Sequence, residues 1–186
     1  MGNVRLYGST SGYTELAPPA VAPDGVLSLP SGTGTLATLA DVAAGGEVLQ
    51  VVRATDSTQR STTSTSFTDV TGMAVTITPQ VATSNVLVIA IGTYQSSRAA
   101  PADTGVNYQI TNSSNTALSG AEIALSGTFP NLRVVDDTFM LFGWVSPGVT
   151  TAVTYKLRFS SNTTDITNRC QNQLRTGQIF AIEVAA

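Results

Sequence analysis

The chain has 186 residues and a formal net charge of −3, and its 11% charged residues are fewer than half the usual share of about 25%. A hydrophobic content of 42% supports a buried core and excludes a disordered chain. The acidic balance excludes the basic surface that nucleic-acid binding needs. The chain has no histidine, so it lacks the commonest general base and metal ligand. We therefore expect a protein that is not an enzyme, with no catalytic, cofactor-binding or metal-binding residues.

The first 45 residues are rich in glycine and proline, which excludes long regular elements. We predict that residues 1–45 form an extended N-terminal arm for attachment or assembly. The alternative is a flexible tail, but a free linker would not need the short apolar segments that lie between the glycines and prolines. Residues 38–46 are either one helical turn stopped by glycine or a loop. The apolar side chains that we expect the arm to pack on a neighbour are Val4, Leu6, Tyr7, Tyr13, Leu16, Val26, Leu27 and Leu29.

After residue 45 the pattern becomes typical of β-strands, and we predict one domain over residues 46–186. β-Branched and aromatic residues alternate with polar ones, or form short apolar runs bounded by turn residues. The predicted strands are 48–53, 66–70, 73–78, 85–92, 106–111, 138–145, 153–160 and 177–184, with 121–125 uncertain. No long amphipathic helix is apparent. The pattern predicts an all-β fold, a two-sheet antiparallel sandwich that is jelly-roll-like, whose connectivity the sequence leaves open.

Candidate reactive side chains are few. Asp136 and Asp137 are adjacent on a predicted strand, so their carboxylates should point to opposite faces rather than converge on a substrate. Cys170 has no histidine to activate it, and we interpret it as a structural residue. No signal peptide is visible, and the longest apolar run, residues 86–91, is too short to span a bilayer. We expect neither a membrane nor a nucleic acid among the partners.

The aromatic residues divide into two groups. One group follows the strand periodicity, and we expect it to pack in the core rather than form a sugar-binding platform: Phe139, Phe142, Trp144, Tyr155, Phe159 and Phe180. The other group, Tyr94, Tyr108 and Phe129, lies nearer predicted loops. We predict these three as possible exposed contacts.

Several segments resemble virion proteins of tailed phages. Residues 4–22 and 27–38 are similar to a module found in tail-fibre and other structural proteins of tailed phages, especially those of marine and cyanobacterial hosts. Residues 46–55, 63–79 and 85–88 resemble the virion β-domain that commonly follows this module. Counterparts of the family's later features occur at 154–158 and 177–184. The chain departs from the family in two respects. Residues 165–175 differ from the stretch rich in glycine and aromatic residues that the family often carries there, and we find no counterpart of the N-terminal adaptor and shaft of long tail fibres.

The resemblance implies a bacteriophage particle protein that forms a homotrimer and is made in the cytoplasm of the bacterial host. We expect a capsid decoration or cement protein, which binds the major capsid protein through its N-terminal arm and stabilises the particle. The alternative is a short tail fibre or tail-associated protein that contacts tail proteins and a host surface receptor. A polysaccharide-cleaving tail enzyme is disfavoured, because the chain lacks a repeat-rich β-helix and converging acids.

Overall fold

A computed structural model describes residues 4–7, 13–16, 46–99, 104–127, 134–170 and 175–186, and the chain divides into two units, 1–36 and 37–186. In the first unit, strand β1 (Val4–Tyr7) pairs antiparallel with β2 (Tyr13–Leu16). Five of the predicted arm residues lie on these two strands. Val26, Leu27, Leu29 and most of the predicted helical turn lie outside the described residues.

The described part of the second unit contains strands and no helix. Its strands are β3 (Val48–Asp56), β4 (Arg60–Thr62), β5 (Thr68–Ile77), β6 (Asn85–Arg98), β7 (Thr104–Asn112), β8 (Ala117–Gly127), β9 (Val134–Val145), β10 (Val153–Ser161), β11 (Ile166–Cys170) and β12 (Gly177–Val184). Every pairing for which the register is resolved over several residues is antiparallel.

These strands form two sheets. In the first sheet, β11 and β12 lie end to end along β6, because residues 94–98 of β6 pair with β11 and residues 85–91 pair with β12. Strands β4 and β3 lie end to end against them on the outer side, and β9 covers the other edge of β6. The second sheet has the order β8–β7–β10–β5. A single bridge between Ser119 and Trp144 joins β8 to β9.

The connectivity of the two sheets is that of a jelly roll. When β3 with β4 and β11 with β12 are each counted as one broken strand, the second unit has eight strands among the described residues. When these strands are numbered one to eight along the chain, their side-by-side order is one, eight, three, six in the first sheet and two, seven, four, five in the second. This is the double-sheet arrangement with Greek-key crossovers. The predicted all-β, jelly-roll-like sandwich is confirmed, and the connectivity is now defined.

The core lies between the sheets and is built on stacked aromatic rings. The ring of Tyr108 stacks on that of Phe139 with centroids 4.2 Å apart and lies 6.1 Å from that of Phe159. All three side chains are buried. Gly92 lies opposite Phe139 in the first sheet, and a Cβ atom at Gly92 would stand 2.8 Å from the ring. The absence of a side chain at this position therefore makes room for the central aromatic stack.

A buried carboxylate ties the C-terminal strand to the turn between β5 and β6. Glu183 is fully buried, and its Oε1 accepts the backbone N–H groups of Gln80 and Val81 at 2.8 and 3.2 Å and the Ser84 hydroxyl at 2.6 Å. Its Oε2 accepts the Gln50 amide at 2.6 Å. Burial by itself raises the pKa of Glu183, but these hydrogen bonds outweigh it and hold the pKa below its usual value.

Candidate functional site: an apolar outer sheet face

Over part of its area, the first sheet is apolar on both of its faces. On its central strand β6, Val86, Val88 and Ala90 point inward and are fully buried. The alternating residues on the outer side would be polar in a sheet whose second face meets water. Instead they are Leu87, Ile89 and Ile91, which are partly exposed.

Strand β9 continues this outer apolar surface at one edge of the sheet. Met140, Phe142 and Trp144 are 50%, 51% and 48% exposed, respectively. In the register of the sheet they stand directly opposite Ile91, Ile89 and Leu87 in turn. Three cross-strand apolar pairs therefore lie side by side on the outer surface.

The surface extends across the other two strands of the sheet. On β12, Phe180 lies opposite Ile89 and Ile182 lies opposite Leu87, and on β3, Val51 lies opposite Ile182. We call the nine outward residues on these four strands the apolar face: Val51, Leu87, Ile89, Ile91, Met140, Phe142, Trp144, Phe180 and Ile182. Strands about 4.8 Å apart, with outward positions about 6.8 Å apart, make this a surface of roughly 300 Å².

Polar groups border the apolar face. The guanidinium of Arg53 stands 5.8 Å from the centre of the Phe180 ring, in cation–π geometry. Toward the far end of β6, the Arg169 guanidinium donates to the Gln95 side-chain oxygen at 2.7 Å, and the Gln95 amide donates to Asp136 at 3.0 Å. Arg169 also donates to the Ser97 hydroxyl at 3.1 Å. An apolar centre with a hydrogen-bonded polar border is the anatomy of a protein interface.

The predicted exposed contacts are not on this surface. Tyr94 and Tyr108 are buried, so their prediction as exposed contacts is wrong. Tyr94 is buried because β6 continues past its predicted end at residue 92, which places Tyr94 at an inward position of a regular strand. Tyr108 lies within the predicted strand 106–111, at a position of β7 that points inward. Burial raises the pKa of Tyr108 well above its ordinary value, and the neighbouring Cys170 thiol adds to the effect. Phe129 lies outside the described residues.

The core assignment of the aromatic residues is only partly right. Phe139, Tyr155 and Phe159 are buried, as expected for core residues. Phe142 and Trp144 are half exposed, because their positions on β9 have the opposite parity to that of Phe139 and so point outward. Phe180 is partly buried on the outer side of β12. The unbroken apolar run of β9 was the available signal, since a strand with one wet face would alternate.

The described residues offer little for chemistry. Asp136 accepts a hydrogen bond from Gln95, whereas Asp137 accepts the N–H of Thr138, so the two carboxylates diverge. Burial raises the pKa of Tyr94, and the nearby Asp137 carboxylate raises it further. Within the described ranges no three His, Cys, Asp or Glu side chains are placed to hold a metal ion. Cys170 is buried.

One open cleft of about 420 Å³ lies at an end of the sandwich, where β7, β9 and β10 meet. Residues lining it include Asn112, Leu118, Ser146, Thr154 and Tyr155. Its lining contains no carboxylate, amine or thiol. Among the described residues, no helix is long and apolar enough to cross a membrane.

Comparisons with known proteins find only distant structural similarity. No protein-family model matches the chain, and no curated protein matches its sequence. Among solved structures, a chain from the structure of infectious bursal disease virus Gx strain is 14% identical, with a TM-score of 0.26 over 96% of this chain and 46% of that one. A chain of the virus-like particle of extra small virus from the giant freshwater prawn Macrobrachium rosenbergii is 13% identical, with a TM-score of 0.21 over 89% of this chain and 94% of that one. The present chain thus spans about half the length of the first. Neither similarity is close enough to carry an argument about function.

Proposed function

We propose that the chain is a structural protein of a tailed-phage virion, namely a homotrimeric capsid decoration or cement protein. The observation that carries this proposal is the apolar face. A contiguous apolar patch of roughly 300 Å² spread over four strands is costly to leave in water, and an exposed patch of this kind is often functional. The resemblance of residues 4–38 and 46–88 to phage virion modules supplies the kind of particle.

The attachment to the capsid is assigned to the N-terminal arm, residues 1–45. The pairing of β1 with β2 leaves the two outer edges of this small sheet without a partner strand within the hairpin. Such edges can add to a strand of a neighbouring protein, and the apolar residues of the arm would supply side-chain contacts. Attachment through the arm leaves the jelly roll free to make contacts of its own.

Localisation on purified virions tests this function. A gold-labelled antibody against the jelly roll should mark the capsid surface, and image reconstruction should show density on local threefold axes. Label found only on free protein, with none on the particle, would overturn the virion assignment. A chain lacking residues 1–45 should fail to rebind particles depleted of the protein, and unchanged rebinding would rule out the arm as the anchor.

A second candidate is a short tail fibre or tail-associated receptor-binding protein. It is favoured by the similarity of residues 4–38 to a module that also occurs in tail-fibre proteins. The same labelling experiment separates the two, because this candidate requires the label at the tail and not on the capsid. Inhibition of phage adsorption by the isolated protein is a further expectation of the second candidate alone.

A further inference from the structure

We propose that the apolar face is the contact surface between copies of this chain, and that its side chains are buried in the free oligomer before any particle is bound. This deepens the proposed function, on which its biological setting rests, by naming the surface that joins the subunits. The arm would then bind the capsid shell, and the apolar face would bind other copies of the chain.

The size of the surface fits this assignment. A standard stable interface buries about 800 Å² on each partner, with a core more apolar than the surrounding rim. The apolar face would supply roughly 300 Å² of apolar core, so a contact of standard size would also take in the polar residues that surround it. Half-exposed Phe142 and Trp144 near the middle of one edge are the residue types that dominate such cores.

The charge distribution points to a second copy as the occupant. None of the nine residues of the apolar face is charged, so the faces of three copies can meet around a threefold axis without repulsion among these residues. Two of the charged groups at its border, Arg169 and Asp136, are bonded within the subunit through Gln95, while the exposed Arg53 lies over Phe180 and keeps its charge. Another copy of the chain offers a matching surface that is apolar and uncharged over the same nine residues.

Light scattering and tryptophan fluorescence of the purified full-length chain test the proposal. The wild-type protein should have a mass that is a multiple of 19.2 kDa, three times for the proposed trimer. Trp144 is the only tryptophan, so its emission reports on the apolar face alone. Its emission should shift to longer wavelength, and quenching by acrylamide should increase, as dilution dissociates the oligomer.

Substitutions on the apolar face should weaken the oligomer while leaving the jelly roll folded. F142R places a charge within the apolar face and should give a monomer at micromolar concentration. If F142R fails to fold, F142A serves instead and should raise the dissociation constant at least about 30-fold. A matched pair uses one change at two sites: V51S, at a residue 56% exposed on the apolar face, should weaken association, whereas V149S, at a residue 39% exposed in a loop, should not.

Three outcomes would overturn the inference. A wild-type monomer across the micromolar range would refute it, as would an oligomer whose mass and Trp144 emission are indifferent to F142R. A wild-type monomer that exposes Trp144 only after deletion of residues 1–45 would identify the arm as the occupant instead. Each outcome is read in solution and leaves the virion labelling result unaffected, so failure of this inference and failure of the proposed function are distinguishable.

Discussion

Replacement of Glu183 should be among the most damaging single polar changes in the jelly roll. The carboxylate is fully buried and accepts four hydrogen bonds, two of them from the backbone of the turn that precedes β6. A hydrogen bond to a charged group contributes about 1.5–3 kcal/mol, and these four share one acceptor group, so their effects are not additive. We expect E183A to lower the free energy of unfolding by about 3–5 kcal/mol, because it removes the acceptor of the buried Ser84 hydroxyl and of two partly buried N–H groups of the turn.

The variant E183Q separates the contribution of the carboxylate charge from that of the side-chain shape. E183Q keeps the side-chain volume and one acceptor oxygen, but it loses the charge and turns an amide toward the Gln50 donor. Because charge-assisted hydrogen bonds are roughly twice as strong as neutral ones, we expect a loss of about 2 kcal/mol. At about 4 °C per kcal/mol for a domain of this size, E183Q should melt roughly 8 °C lower and E183A roughly 15 °C lower.

The pH dependence gives an independent check. The folded-state pKa of Glu183 lies below its ordinary value of 4.5. Its contribution is therefore complete above that ordinary value and is lost as the pH falls through the folded-state pKa. The stability difference between wild type and E183Q should accordingly shrink as the pH is lowered through this range.

Urea denaturation at pH 7 and pH 3, followed by circular dichroism, measures both effects. The matched control is E122Q, the same substitution at an exposed position of β8, which should change stability by less than about 0.5 kcal/mol. If E183Q proved as stable as E122Q, the charge-assisted hydrogen bonds of Glu183 would not contribute to the stability of the jelly roll. A difference independent of pH would contradict the lowered pKa.

Three further predictions concern other sites. G92A should destabilise the jelly roll by about 1–3 kcal/mol in urea denaturation, because its Cβ would stand 2.8 Å from the Phe139 ring, and a neutral result would mean that the aromatic stack can shift freely. D69N removes pairs of 2.7 and 2.8 Å with two cations, but Asp69 is 45% exposed, so it should cost at most about 1 kcal/mol and less in high salt; a loss insensitive to salt would argue against an electrostatic origin. Cys170 should react with a thiol reagent only after denaturation, and rapid labelling of the native protein would contradict its burial.

The sequence predicted most of the strands but not all of their limits. The sequence pattern predicts strands β3, β6, β7, β9, β10 and β12, because each contains β-branched residues and is flanked by turn residues. It predicts two strands, 66–70 and 73–78, where the structure has the single strand β5. Strands β4 and β11 were missed, since Arg60–Thr62 is short and lies in Ser/Thr-rich text and Ile166–Cys170 is mostly polar. Their pairing with each other and with β6, which no local pattern encodes, makes them strands.

The apolar face shows the same limit more sharply. The alternation along β9 establishes that Phe139 and Leu141 share one side and Phe142 and Trp144 the other. It does not establish which side meets the second sheet, because both sides are apolar. The structure decides this through the register with β6 and the position of the second sheet, and it thereby turns two expected core residues into surface residues.

By itself, the sequence determined the low charge, the absence of histidine and the N-terminal segment rich in glycine and proline, and its local periodicity predicted an all-β fold. These follow from residue type and local spacing, which act within a few residues. Only the tertiary structure decided the jelly-roll connectivity, the burial of Tyr94 and Tyr108, and the assembly of nine residues from four strands into one apolar face. Those features depend on contacts between residues far apart in the chain, and strand periodicity carries no information about which distant strand becomes the neighbour.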